Sequence, residues 1–282
     1  MHGPQILAKY LATPSKPDVN GNRWQYNSRS DRHSKVGCWG VAFDLLGHSA
    51  LLRKHAAEGS VILGVNHTMI DFQTNRQKAL DLVIARPTGL PGDESRTFKS
   101  LAEHYGIRLT AVEGQILNGL PDIAISNVGA VLIALEAKAA MTSHQKAEPR
   151  LYDELNSSHL CVHGASNQAL AIAYVQVNSA TEFASSVRNN FPLADYPVRL
   201  SRHTQPKSVI GVIDKVAELP RRSGTAGVGF DGVGVTVLNF ENTGGPVDLV
   251  DQPPSPQPGD PFHYESMIIR MANEYDSRFH GI

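Results

Sequence analysis

The stretch Gly119–Arg150, GLPDIAISNVGAVLIALEAKAAMTSHQKAEPR, decides how this chain is read. Its core, VLIALEAKA (131–139), has the composition of a buried strand, yet it carries Glu136 and Lys138 two positions apart. Side chains alternate between the two faces of a strand. Alternation puts Leu132, Ala134, Glu136 and Lys138 on one face and Val131, Ile133, Leu135 and Ala137 on the other. PDIAIS (121–126) divides in the same way, with Asp122, Ala124 and Ser126 opposite Ile123 and Ile125. SNVG (126–129), between the two runs, has the chemistry of a turn. Pairing the runs as a hairpin centred on Gly129 brings Asp122 level with Glu136. Asp122, Glu136 and Lys138 then gather at its open end.

Two carboxylates brought together repel unless a cation lies between them. Oxygen ligands suit a hard ion such as magnesium, which retains some of its waters. A lysine beside them can orient or activate an attacking water, and the ion can stabilise charge that builds on a phosphate. Pro121-Asp122 followed by Glu136-Ala137-Lys138 resembles the PD-(D/E)XK nuclease superfamily, the fold of most type II restriction endonucleases. The resemblance implies Asp122 and Glu136 as metal ligands and the carbonyl of Ala137 facing the metal. It implies Lys138 as the base or acid that positions water.

A second acid competes for the first place. Asp81 heads an equally strand-like run in RQKALDLVIARP (76–87), but 54 residues lie between it and Glu136, too many for a simple hairpin. Asp122 is preferred and Asp81 is the alternative; both together are a third reading, since some members of the superfamily recruit an additional acid. Glu103 is a weaker candidate for that extra place, and a solvated glutamate is its simpler reading. The similarity runs over 120 to 185, with the LDLVIARP strand as a further part.

The remaining chain sets the frame. At 282 residues and 41% hydrophobic, it has the length and apolar content for one large domain with a proper core. Residues 1–35 read as a polar arm, and 252–282 as a proline-rich linker followed by a helix. Helical spacing marks VGCWGVAFDLLGHSALLRKHAAEG (36–59), ESRTFKSLAEHYGI (94–107), AEPRLYDELNSSH (147–159) and HYESMIIRMANEYDSRF (263–279). Strand character marks 60–75, 78–87, the two runs above, 167–183 and 232–242, with 208–219 strand or mixed. The expected fold is α/β (α+β): a restriction-endonuclease-like core, with a mixed sheet flanked by helices.

Composition excludes some classes. No apolar run approaches the ~20 residues needed to span a bilayer, and the N-terminus has no secretory pattern. Only Cys38 and Cys161 occur, which fits a reducing cytoplasm rather than a disulfide scaffold. The net charge of −1 is not that of a strongly basic nucleic-acid binder, but basic residues cluster locally. Arg29, Arg32 and Lys35 in the arm, and Lys146 and Arg150 after the Glu-Ala-Lys motif, are the candidate phosphate contacts.

Other motifs carry less. GVGFDG (227–232) matches a dinucleotide fingerprint by letter, but a strand follows where a helix is needed, so its glycines read as a turn. HLCVH (159–163) would place His159, Cys161 and His163 on one strand face, but it lacks a fourth zinc ligand. Met267, Ile268, Met271 and Tyr275 read as a core face, with a dimer contact as the alternative.

The expectation is a magnesium-dependent, site-specific endonuclease that hydrolyses both strands of duplex DNA. A twofold target implies a homodimer. A restriction enzyme implies a prokaryotic cytoplasm and a cognate DNA methyltransferase in the same system. The alternatives are a modification-dependent or repair nuclease on the same core, and a non-catalytic DNA-binding protein.

Overall fold

A computed structural model describes residues 1–14, 16–72, 74–89 and 96–281. Helices α1 (Gly3–Ala12), α2 (Arg32–His48) and α3 (Ala50–Ala57) come first. Strands β1 (Ile62–Ile70) and β2 (Gln77–Pro87) are followed by α4 (Phe98–Tyr105) and α5 (Ala111–Gly119). Then come β3 (Val128–Ala140), α6 (His144–Ala165), β4 (Leu170–Asn178), β5 (Glu182–Ala184) and β6 (Leu200–Arg202). The chain closes with α7 (Lys207–Ala217), β7 (Gly232–Asn239), β8 (Asp248–Val250) and α8 (Tyr264–Arg278).

Six strands form one mixed sheet in the order β1-β2-β3-β4-β7-β8, and β5 pairs with β6 apart from it. β2 runs antiparallel to both β1 and β3, β3-β4-β7 run parallel, and β8 returns antiparallel. β4 (LAIAYVQVN) is buried at every position. A central parallel strand with both faces covered requires such a run, and its helices supply the cover. α2 and α8 pack on one face over Leu82, Ile84, Ile133, Leu135 and Tyr174. α6 and α7 pack on the other over Val83, Ala134, Val175 and Val235. The mixed sheet flanked by helices is the fold class read from the sequence.

Local chemistry explains several boundaries. Thr97 and Thr110 each cap a helix reciprocally with the residue three positions on, starting α4 and α5. Gly106, at φ 75°, ends α4 in the left-handed conformation that glycine adopts without strain. α2 crosses close over the sheet because Gly37 has no side chain: a Cβ there would lie 2.5 Å from Gln176 Nε2 and 2.9 Å from the Tyr174 ring.

Four expectations are corrected. PDIAIS and VLIALEAKA do not form a hairpin. β3 pairs instead with β2 and β4, while Ala124 and Ile125 make only isolated bridges to Thr97 and Leu63. Nonlocal strands outcompete the short turn because they bury both faces of β3. The run 208–219 lies largely in helix α7, whose Val209, Val212 and Val216 recur at helical spacing. HLCVH is helical, inside α6, and that helix begins at His144 rather than at Ala147, which puts Pro149 in its interior.

The first 35 residues are not a loose arm. α1 buries Ile6, Leu7 and Leu11, and Asp44 accepts the N–H groups of His2 and Gly3, each at 2.8 Å. The segment after α1 is tied down by polar side chains. Asn242, 1% exposed and at φ 63°, accepts from Tyr26 N–H and donates to the Tyr26 and Ala184 carbonyls. Met267, Ile268, Met271 and Tyr275 form the buried face of α8.

Asn242→Ala is expected to cost about 2–4 kcal/mol. It leaves one N–H and two carbonyls of the Tyr26 tether unpaired and puts alanine in a left-handed backbone. Urea unfolding of the two proteins measures it; a loss below about 1 kcal/mol would show that the tether is dispensable.

Candidate active site

β2 and β3 pair from Pro87↔Val128 to Leu82↔Leu135 and then part. On the other edge of β2, the ladder skips the position opposite Asp81, where Asn66 adopts φ 52°. Leu80 and Leu82 bury in different clusters, although alternate residues of a regular strand share a face. β2 therefore turns at Asp81. The turn aims the carboxylate into the gap, where Oδ2 accepts the Ala137 N–H at 2.9 Å in place of a strand carbonyl. The N–H and C=O of one strand residue leave along the same edge. The Ala137 carbonyl thus points into the same gap.

A register shift between Ile84 and Ala85 sends both Leu132 and Ile133 to the α2 face. Beyond it the alternation read from the sequence holds, and Glu136 and Lys138 face α6. Glu136 is 3% exposed. Its Oε1 lies 2.8 Å from Lys138 Nζ and 3.6 Å from Lys78 Nζ, and its Oε2 is buried with no hydrogen-bond partner among the described residues. Lys138 Nζ also reaches Glu154 Oε2 on α6 at 2.9 Å, and Arg150 Nε holds the other oxygen of Glu154 at 2.6 Å.

These contacts set the charges. Burial and the Glu136 carboxylate push the Asp81 carboxyl up to about 7. Burial opposes the Lys138 charge, but Glu136 and Glu154 outweigh it and push its pKa well above the ordinary lysine value. The ion pairs with Glu136 and Glu154 therefore favour the protonated form of Lys138, which can donate hydrogen bonds. Burial opposes the Glu154 charge too, but hydrogen bonds from Arg150 and Lys138 bring its carboxyl down to about 2. Beneath Asp81, Cys38 Sγ lies 3.9 Å from Oδ2, and burial raises its thiol well above the usual range. Burial and Lys138 bring His33 down to about 4, so its imidazole is neutral.

A cleft of about 460 Å³ opens above these groups. Asp81, Lys138 and Glu154 line it together with Tyr26, and so do three of the expected phosphate contacts, Arg29, Lys146 and Arg150. Arg32 lines an adjoining cleft beyond Tyr26 and His33, and Lys35 pairs with Asp31 at 2.7 Å. Asp122 is placed elsewhere. It is exposed, and its Oδ1 accepts the Lys99 N–H at the start of α4. Of the two acids considered, the structure brings Asp81 to Glu136 and leaves Asp122 outside. Glu103 is exposed on α4.

Sequence reading missed Lys78, Glu154, Cys38 and His33. Lys78 stands three residues before Asp81, opposite it in a regular strand, and only the turn at Asp81 lets both approach Glu136. Glu154 belongs to a recognised helix, but nothing local ties it to Lys138.

His159, Cys161 and His163 do not converge. His159 Nε2 meets Asn156 and His163 Nε2 meets the Gly229 carbonyl. Among the described residues no group of three or more His, Cys, Asp or Glu side chains is disposed around a metal position. The all-oxygen set at the strand gap is smaller: two carboxylates and the Ala137 carbonyl. It suits a hard cation that keeps several waters, and the unpartnered Glu136 Oε2 is the atom such a cation would satisfy.

Compared with known proteins, the chain matches no family model, no curated protein and no solved structure. Among the described residues no helix is long and apolar enough to cross a membrane.

The Asp81 shift has a direct consequence. Its folded pKa lies above the ordinary value of 3.8, so ionisation costs the fold free energy, and the cost develops as pH rises towards 7. Asp81→Asn keeps an acceptor for Ala137 and removes that charge. It is expected to stabilise the cation-free protein by about 1 kcal/mol or more at about pH 8, and by less at about pH 5. Urea melts at both pH values decide it, and a difference that does not grow with pH would sink the assignment.

Proposed function

We propose that the chain is a metal-dependent, site-specific endonuclease acting on phosphodiester bonds of duplex DNA, a type II restriction enzyme of the PD-(D/E)XK kind. The observation that carries the reading is the meeting of Asp81, Glu136 and Lys138 where β2 and β3 part. Asp81 takes the place that the sequence reading preferred for Asp122. A mixed sheet flanked by helices is the setting such a core requires.

Asp81, the unpaired oxygen of Glu136 and the Ala137 carbonyl are the groups that would hold magnesium. Magnesium, when bound, supplies Lewis acidity that stabilises charge on the phosphate and makes water a better nucleophile. The chain's own residues do the rest. Lys138, kept protonated, donates a hydrogen bond that orients the attacking water or a phosphate oxygen. Arg29, Lys146 and Arg150 neutralise backbone phosphates along the cleft, which makes binding steeply salt-dependent. The products would carry 5′-phosphates, as in the family that the motif resembles. A twofold-symmetric target would be met by a homodimer, and a cognate methyltransferase would protect the host DNA in a prokaryotic cytoplasm.

Incubation with unmodified plasmid and phage DNA in magnesium is expected to yield discrete fragments, and EDTA to abolish them. Asp81→Ala, Glu136→Ala and Lys138→Ala should each slow cleavage at least about 100-fold, whereas Asp122→Ala should stay near wild type. Loss of cleavage in Asp122→Ala with activity kept in Asp81→Ala would reverse the assignment of the first acid. Failure to cut either unmodified or methylated DNA would end the nuclease reading.

A further inference from the structure

We propose that the first turn of α2 is a phosphate pocket. It is built from the backbone N–H groups of His33 and Ser34 and from the Ser34 hydroxyl. It holds the phosphate next to the one being cut, and this rests on the nuclease reading above.

The N-terminus of this 17-residue helix is left open. Asp31 stands at the capping position but makes no side-chain capping bond; its carboxylate turns instead to Lys35 Nζ at 2.7 Å. The Arg32 N–H goes to Ser30 Oγ at 3.3 Å, and the first helical bond is Lys35 N–H to the Asp31 carbonyl at 3.0 Å. Among the described residues no acceptor meets the N–H of His33 or Ser34. Free N–H groups at the positive end of a helix dipole attract anions.

The side chain of Ser34 makes the second observation. Ser34 is 8% exposed and lines the cleft, and its hydroxyl has no hydrogen-bond partner among the described residues. The hydroxyl is not sealed away from the cleft, so a ligand oxygen there can accept its hydrogen bond. The charges around it allow an anion. Lys138 and Arg150 are shared with Glu136 and Glu154, and Lys35 pairs with Asp31, so the cations of the cleft that have no carboxylate partner among the described residues are Arg29 and Lys146.

Position selects which phosphate. Ser34 and Cys38 lie one turn apart on the same face of α2, and Cys38 Sγ is 3.9 Å from Asp81 Oδ2. A helical turn rises about 5.4 Å. That offset places the pocket on the neighbouring phosphate of the strand rather than between the two acids. The close crossing at Gly37 brings this turn of α2 down to the site.

The test uses the ¹⁵N-labelled full chain in EDTA, titrated with inorganic phosphate and then with a short duplex. The His33 and Ser34 amide resonances are expected to move with phosphate. Ser34→Ala should weaken phosphate binding about tenfold. Ser34→Asp, whose carboxylate is favourable in a first helical turn and therefore compatible with folding, should abolish the shifts. The proposal is overturned if the two amides stay still at saturating phosphate, or if Ser34→Asp binds like wild type. A chain that shows the shifts but cuts no DNA would keep the pocket and lose the nuclease reading. A chain that cuts DNA without the shifts would lose the pocket alone.

Discussion

The hydrogen bond from the Ala137 N–H to the Asp81 carboxylate organises this protein. β3 must carry Glu136 and Lys138 towards α6 while its other edge stays paired with β4. If β2 followed β3 to its end, strand carbonyls would fill the gap and the carboxylates would have no room to approach. Instead β2 turns, Asn66 absorbs the turn on β1 in a left-handed conformation, and the side chain of Asp81 supplies the missing acceptor. The fold thereby opens a sheet without leaving a buried N–H unsatisfied.

The charges in the gap are balanced in a particular way. Lys138 spans Glu136 and Glu154, and Arg150 holds the far side of Glu154. These pairs fix the lysine in place and keep it charged. Among the described residues Asp81 has no cationic side chain of its own at hydrogen-bonding distance. It shares its surroundings with Glu136, and its ionisation is disfavoured. A divalent cation would reverse that sign, since opposite charge nearby favours the ionised carboxylate. Ionisation is thus disfavoured at Asp81 and one oxygen of Glu136 is unpaired among the described residues, while Lys138, Glu154 and Arg150 are held in ion pairs.

The sequence made part of this legible. The apolar run around Glu136-Ala137-Lys138 announced a buried strand with two charges at its end, and both charges lie where alternation puts them. Arg29, Lys146 and Arg150 were identifiable as clustered cations, and all three line the cleft. Asp122 was misplaced because a short hairpin with good turn chemistry is the cheapest local pairing, with little chain entropy to lose. The long connection through α4 and α5 overcame that preference by burying the faces of β3 against α2 and α6. The alternation at Leu132 failed for a similar reason, since a register shift is set by the partner strand.

By itself the sequence determined the strand and helix periodicities, the mixed fold class, and Glu136 and Lys138 as neighbours. Those properties depend on residues a few positions apart. Tertiary structure alone decided that Asp81 rather than Asp122 lies beside Glu136, that Lys78 and Glu154 join the charge network, and that the open end of α2 faces the cleft. Each of these depends on where β2 turns and on how closely α2 crosses the sheet. Such choices follow from the packing of whole faces, which no local pattern encodes.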